Sequence, residues 1–271
     1  MRYNEVMHEI GVWNQGLVMK ELPPSPLLSR FIKSYQLLTG QTNNKHQKPW
    51  YILPDNAAHL IFFLYEKGGQ LYPSLRLVGP RTAHRLTNRA TRHLTLIASF
   101  QPGAVWYFCK GPVKEITDVA INASELLPGI DDELMEAFSI AAQLRDIKTL
   151  VGLMEQTLLR HLNPNSEADG FLNQFLSIET KPLMKVSELA EQMGISDRHL
   201  RTLTHQYIGH SPKDYLQISR FTRSLVMSNQ HREWTAIAFD AGFYDQSHMI
   251  GAYQKMCGKS PESLFGSKAM I

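Results

Sequence analysis

Several kinds of chemistry are excluded by what this chain lacks. It has two cysteines, Cys109 and Cys257, too few and too far apart for a disulfide framework or, by themselves, a metal site. The longest near-continuous apolar stretch, Leu60 to Tyr65, falls far short of the roughly 20 residues that cross a bilayer, so no membrane span is expected. Met1 to Gly11 carries Arg2, Glu5, His8 and Glu9 where a secretory signal needs an apolar run, and a cytoplasmic location is expected. There is no His-x-His pair, no His-Glu-x-x-His, no Gly-x-Ser-x-Gly elbow and no phosphate-cradling loop. No cofactor and no enzymatic activity are therefore expected.

Acidic residues are missing from one long segment. Between Glu66 and Glu115 there is no carboxylate, while Lys67, Arg76, Arg81, Arg85, Arg89, Arg92, Lys110 and Lys114 all fall there. Such a segment can hold an anionic effector through arginine forks at Arg81, Arg85, Arg89 and Arg92. A solvated basic face, or pairing with the acids from Asp131 to Glu136, is the plainer explanation. Cys109, next to Lys110 in an aromatic run, can be read as a redox thiol or as a small buried hydrophobe.

What is present is a chain of 271 residues, 43% hydrophobic and 20% charged, enough for two ordinary domains. The first part reads as strands. Trp50 to Leu53, His59 to Tyr65, Leu71 to Val78 and His93 to Phe100 are rich in β-branched and aromatic residues, punctuated by Pro54-Asp55, Gly68-Gly69, Gly79-Pro80 and Pro102-Gly103. This suits a small barrel or a sheet with helices, and an early helix around Pro26 to Leu38 is also compatible with the pattern. From Asp131 the period becomes helical, and a helical hairpin over 131–162 is expected to lie on the sheet or to contribute a dimer interface. Residues 163–170 have no apolar periodicity and read as a linker.

Everything after Phe171 reads as short helices opened by capping residues: Ser187, Ser196, Ser211-Pro212, Thr235, Asp245 and Ser260-Pro261. The fold class is thus α+β, with a strand-rich N-terminal domain at 1–162 and an all-α C-terminal domain at 171–271.

Two segments of the C-terminal domain match 48 positions apart. Leu189, Ala190, Gly194 and Ile195 correspond to Ile237, Ala238, Gly242 and Phe243. A helix-turn-helix needs a small residue where its helices cross and a glycine to turn between them. Each match is followed by a capped helix with an apolar side and a polar side. The polar side of the first shows Asp197, Arg198, Arg201, Thr202 and His205, after the cap Ser196. The second shows Gln246, Ser247, His248 and Lys255. Arginine suits guanine edges and phosphates, and glutamine reads adenine. The C-terminal third is formally neutral, but between Ser196 and Arg223 five cations, Arg198, Arg201, Lys213, Arg220 and Arg223, outweigh Asp197 and Asp214.

The stretch from Val186 to Phe265 resembles the tandem helix-turn-helix domain of the AraC/XylS transcription regulators. The resemblance rests on Leu189-Ala190, Gly194-Ile195-Ser196, Leu200, Gly209 with Ser211-Pro212, Tyr215 and Arg220. It continues through Ile237-Ala238, Ala241-Gly242-Phe243, Asp245-Gln246-Ser247-His248, Tyr253, Gly258 and Ser260-Pro261. Pro54-Asp55-Asn56, Leu77-Val78-Gly79-Pro80-Arg81-Thr82 and Phe100-Gln101-Pro102-Gly103-Ala104 resemble, more loosely, the sensor-like domain of a subset of these regulators.

The resemblance implies a sequence-specific activator or repressor that binds double-stranded DNA and meets RNA polymerase, with a small effector and a homodimer as further expectations. Thr202, Thr204 and Gly251 depart from it: the family often has arginine, phenylalanine and arginine there. Binding would then lean on Arg198 and Arg201. Two other classes compete. Histidines at 46, 59, 84 and 93 in a barrel allow a metal-dependent enzyme with a helical assembly domain, and the helices allow an interaction module that never touches DNA.

Overall fold

The computed structural model describes residues 18–39, 50–87, 92–109, 111–163, 166–178, 183–228 and 233–265. Its strands are β1 (Val18–Leu22), β2 (Ile32–Thr39), β3 (Trp50–Ile52), β4 (His59–Lys67), β5 (Gln70–Val78), β6 (Arg85–Thr87), β7 (Arg92–Phe100) and β8 (Ala120–Asn122). Six of them form one antiparallel sheet in the order β1-β2-β7-β4-β5-β8, and β3 and β6 pair as a separate two-stranded ribbon. The first and last strands of that order are its edges, so the architecture is an open sheet with helices.

Alternation along β4 sets the inner face. Leu60, Phe62 and Leu64 are buried, and the register places them opposite Leu77, Leu75 and Pro73 on β5, and Ala98, Leu96 and Leu94 on β7. The helical hairpin covers this face. Helix α1 (Asp132–Gln143) stacks Phe138 on Phe62 at 4.9 Å between ring centroids, and α2 (Ile147–His161) buries Leu150, Met154 and Leu158. Both helices start on a capping aspartate: Leu134 N donates to Asp131 and Thr149 N to Asp146. Each cap contributes about 1 kcal/mol.

Three expectations need correction. Ser187 and Thr235 do not open their helices, which start at Val186 behind Lys185 and at Trp234 behind Glu233. Ile32–Thr39 is strand β2, not the end of an early helix. It lies between β1 and β7 with nearly every residue buried, so no alternation marks it as a strand. The stretch read as a linker, 163–170, is helical from Ser166 onward, as the start of α3 (Ser166–Ser177). Its first turn, Ser166-Glu167-Ala168-Asp169, is small and acidic, which suits a helix N-terminus but carries no apolar stripe.

The remaining helices are α4 (Val186–Gln192), α5 (Asp197–Tyr207), α6 (Pro212–Met227), α7 (Trp234–Ala241), α8 (Gln246–Cys257) and α9 (Pro261–Phe265). Buried residues fall into two cores. The larger runs from the sheet and hairpin through Phe171, Leu172, Leu189, Leu200, Tyr207 and Ile208 to Leu216. The smaller gathers Ile218, Phe221, Leu225, Trp234, Ile237, Phe243, Met249 and Tyr253, with Leu53 of the first domain. The division falls inside α6.

Candidate nucleic-acid interface

Helices α4 and α5 form the first helix-turn-helix. Gly194 turns the chain between them with φ +65°, a conformation costly for residues with a side chain. Ser196 then caps α5 by accepting from His199 N at 3.2 Å. Leu200, Thr204 and Tyr207 point inward, while Ser196, Asp197, Arg198, Arg201 and Thr202 are exposed and His205 is half-buried.

Thr204 occupies the place where the family resemblance led us to expect an aromatic. Its hydroxyl donates to the Arg201 carbonyl, and Tyr207 supplies aromatic volume nearby, packing edge-on to Trp106 at 4.7 Å and against Phe171 at 5.4 Å.

The second unit, α7 and α8, repeats the design with a difference. Gly242 turns with φ +93°, and Asp245 caps α8 by accepting from His248 N at 2.7 Å. The 48-residue offset holds through Ile195 and Phe243, but the capping residues Ser196 and Asp245 lie 49 apart. Tyr244 is the extra residue, and it is 81% exposed. Met249, Tyr253 and Met256 are buried, while Ser247, His248, Gly251 and Lys255 are exposed and Gln246 is half-buried. Tyr244 N donates to His248 Nδ1 at 3.3 Å, so the neutral ring carries its hydrogen on Nε2 as an outward donor.

Helix α6 braces the two units. It opens on Ser211, which accepts from Asp214 N at 3.1 Å, and on Pro212. Arg220 donates to the Met184 carbonyl ahead of α4 at 2.6 Å, and Arg223 to the Ala241 carbonyl at the end of α7 at 3.1 Å. Ser224 donates to the Tyr253 hydroxyl inside the smaller core. Two cations from the local count are therefore half-buried braces. Lys213 is exposed, and Lys255 Nζ lies 3.5 Å from Gln217 Oε1.

The N-terminal domain seats on the corner between α5 and α6. Asn56 donates to the Tyr215 carbonyl at 3.2 Å and to Ser219 Oγ at 2.9 Å, and its Oδ1 accepts from His210 Nε2 at 2.8 Å. Thr117 Oγ1 donates to the Gly209 carbonyl at 2.7 Å. Gly103, with φ +77°, leaves no room for a Cβ, which would sit 2.5 Å from Leu172 and 2.9 Å from Ile208. Asp169 of α3 accepts from Arg30 at 2.6 Å and from the Tyr107 hydroxyl. The sequence marked Pro54-Asp55 and Pro102-Gly103 as turns and carried no sign of the partners that these segments meet.

The arginines of the basic segment do not form one exposed cluster. Arg81 is buried, with its backbone bridged to Asp55 and its guanidinium near both Arg85 and Asp118. Arg85 is exposed on the ribbon. Arg92 lies in β7, with its side chain outside the described residues, as is the whole of Arg89. Burial pushes the Cys109 thiol up to about 12, which leaves it unreactive as a thiolate source. Among the described residues no group of three or more His, Cys, Asp or Glu side chains can hold a metal ion. Of the four histidines weighed for a metal, His46 lies outside the described residues. His59 is engaged by Ser99 and Asp55. No described helix is long and apolar enough to cross a membrane.

Two capped helix pairs braced on a shared helix, each with a polar ridge, define a DNA-binding regulator. A family model described as a helix-turn-helix domain matches residues 189–266, and one described as a domain of unknown function (DUF6597) matches residues 20–122. The chain is a two-domain DNA-binding transcription regulator whose C-terminal domain is a helix-turn-helix domain.

Among solved structures it is similar to the C-terminal domain of the response regulator yesN from Fusobacterium nucleatum (20% identity, 37% of this chain, 98% of that one, TM-score 0.33). It is also similar to ToxT from Vibrio cholerae (10% identity, 94% of this chain, 100% of that one, TM-score 0.44). Unsaturated fatty acid-bound ToxT from the same organism gives 10% identity, 93% and 92% coverage and a TM-score of 0.41. No curated protein matches.

Proposed function

We propose that the two recognition helices, α5 and α8, enter successive major-groove segments on one face of the duplex, about one DNA turn or roughly 34 Å apart. Arg198, Arg201 and Thr202 read or clamp the first segment, with Ser196, Asp197, His205 and Lys213 at its margin. Gln246, Ser247 and His248 serve the second, with Lys255 on the phosphates. The observation that carries this reading is the shared construction of the units. Each buries its apolar side toward α6 or the core and leaves its polar ridge exposed behind a capped N-terminus. In this division 1–162 is the sensing domain and 171–271 the DNA-binding domain, with α3 as the connection.

The test starts by selecting duplexes from random DNA with the full-length protein. Arg201→Ala should then lose on the order of 1–3 kcal/mol on the selected site at fixed salt. Equal binding by variant and wild type would remove Arg201 from the interface. A selection that enriches nothing would remove the DNA reading itself.

Among the described residues the buried Nε of Arg81 has no hydrogen-bond partner, which favours a small anionic effector in the N-terminal domain beside Arg81 and Arg85, with Arg89 and Arg92 on the same basic segment. Calorimetric titration of the full-length protein with candidate carboxylates and phosphates tests it, and absence of heat with all of them refutes it. Homodimerisation through the hairpin, where Ile140 and Leu144 are exposed, and contact with RNA polymerase belong to the same proposal. Sedimentation across a concentration series tests the dimer.

A further inference from the structure

The polar ridge of α5 does not stop at the end of its own domain. Arg198, Arg201 and His205 succeed one another at intervals of three and four residues, one helical turn each, so they stack along one side of the helix. His205 lies at the last turn, beside the N-terminal domain. There the short 3-10 turn Val113–Ile116 packs directly on α5. Val113 and Ile116 of this turn are buried, and Lys114 between them is exposed. Burial, and after it the charges of Lys114 and Arg201, disfavour a proton on His205, while Asp214 favours one, so all three charged groups lie close to this ring. Asp214 already accepts from Ser211 Oγ at 2.6 Å.

The platform that carries Lys114 is held firmly. Thr117, directly after the turn, donates to the Gly209 carbonyl. A Cβ on Gly209 would meet Thr117 Oγ1, Val113 and Pro80 within 3.4 Å. On the other side, a Cβ on Gly79 would fall 1.8 Å from the Ile116 carbonyl oxygen, so this backbone is pressed against the sheet as well. The acidic neighbour Glu115 folds back on Gly111, where its Oε2 lies 3.4 Å from a Cβ built on that glycine. Lys114 is thus presented on a fixed support at the end of the ridge.

We propose that the N-terminal domain takes part directly in DNA binding: Lys114 contacts a phosphate flanking the groove occupied by α5. This rests on the DNA reading above and extends it to a residue outside the helix-turn-helix pair. Lysine acts as a mobile point charge for backbone phosphates, and such contacts fix register without reading sequence. One phosphate contact releases roughly 0.9 counterion, which makes binding weaken more steeply with salt.

The experiment measures affinity of the full-length protein for a 30-base-pair duplex selected by the wild type, across a series of salt concentrations. Lys114→Gln should bind about fivefold more weakly near physiological salt and flatten the logarithmic salt slope by about 0.9, with unchanged base preference and thermal midpoint. Lys67→Gln, at the far end of the β4–β5 hairpin, should leave the slope unchanged. A wild-type slope in Lys114→Gln, or an equal loss in Lys67→Gln, overturns the proposal while leaving the DNA reading in place. A wild type that selects no duplex overturns both.

Discussion

His210 donates from Nε2 to Asn56 Oδ1 at 2.8 Å, and both residues are buried where the two domains meet. Asn56 directs its own N–H groups to the Tyr215 carbonyl and the Ser219 hydroxyl, so its amide is committed to the far domain on every side. Asn56→Leu leaves the His210 donor and the Tyr215 carbonyl without this partner. A loss of about 2–3 kcal/mol in urea unfolding is expected. An unchanged midpoint and slope would show that this contact does not hold the seam.

The same pair makes stability depend on pH. With Nε2 donating to Asn56, the neutral His210 ring leaves Nδ1 as a buried acceptor with no hydrogen-bond partner among the described residues, and a second proton there would find no acceptor among them. Burial pushes the group down to about 4, opposed by Asp214 and Asp118, assisted by His205 and again opposed by Asp55. The unfolded chain takes up this proton near pH 6.5 and the folded one near 4. Stability from this residue is therefore complete above about pH 6.5 and is lost as pH falls toward 4, by at most about 3 kcal/mol. Unfolding free energies measured from pH 7 to 4 should fall less steeply in His210→Gln than in the wild type. Parallel curves would refute the assignment.

Two glycines of the C-terminal domain should respond oppositely to alanine. Gly209 has φ +104°, and a Cβ there would lie 2.6 Å from Thr117 Oγ1. Gly209→Ala is expected to cost upwards of about 1 kcal/mol through strain and crowding. Gly251 sits inside α8 with nothing among the described residues within 4 Å of a Cβ, so Gly251→Ala should gain roughly 1 kcal/mol of helix propensity. Thermal unfolding of the two variants side by side checks both signs.

The open space at Gly251 also bears on affinity. It is exposed on the side of α8 that carries Ser247, His248 and Lys255. Gly251→Arg should tighten binding to the selected duplex and steepen its salt slope by about 0.9 for one added phosphate contact. Binding indistinguishable from the wild type would place this side of α8 away from the DNA.

The helix-turn-helix units were legible in the sequence because their determinants are local. Ser196, Ser211 and Asp245 cap the helices they precede, and Gly194 and Gly242 stand where the chain turns with positive φ. The strands β3, β4, β5 and β7 were legible too, from composition and turn residues. β2 was not, since a strand enclosed by β1 and β7 loses the alternation that would identify it.

The seam was invisible for a different reason. Asn56 meets His210 across 154 residues, and Thr117 meets Gly209 across 92, and no periodicity encodes such pairs. Counting charge also misled in one respect. Arg220 and Arg223 add to the positive total of their segment, yet each donates to a carbonyl and braces the protein's own helices.

The larger apolar core runs without a break from the sheet into the first helix-turn-helix, and the second unit keeps a core of its own. A fragment excised at the start of α3 would strip Tyr207 of Trp106 and uncover Leu172 and Ile208 where Gly103 had covered them. Dissection by sequence homology would thus yield a lopsided product, with one half intact and the other denuded. The natural cleavage plane of this molecule runs through the middle of α6.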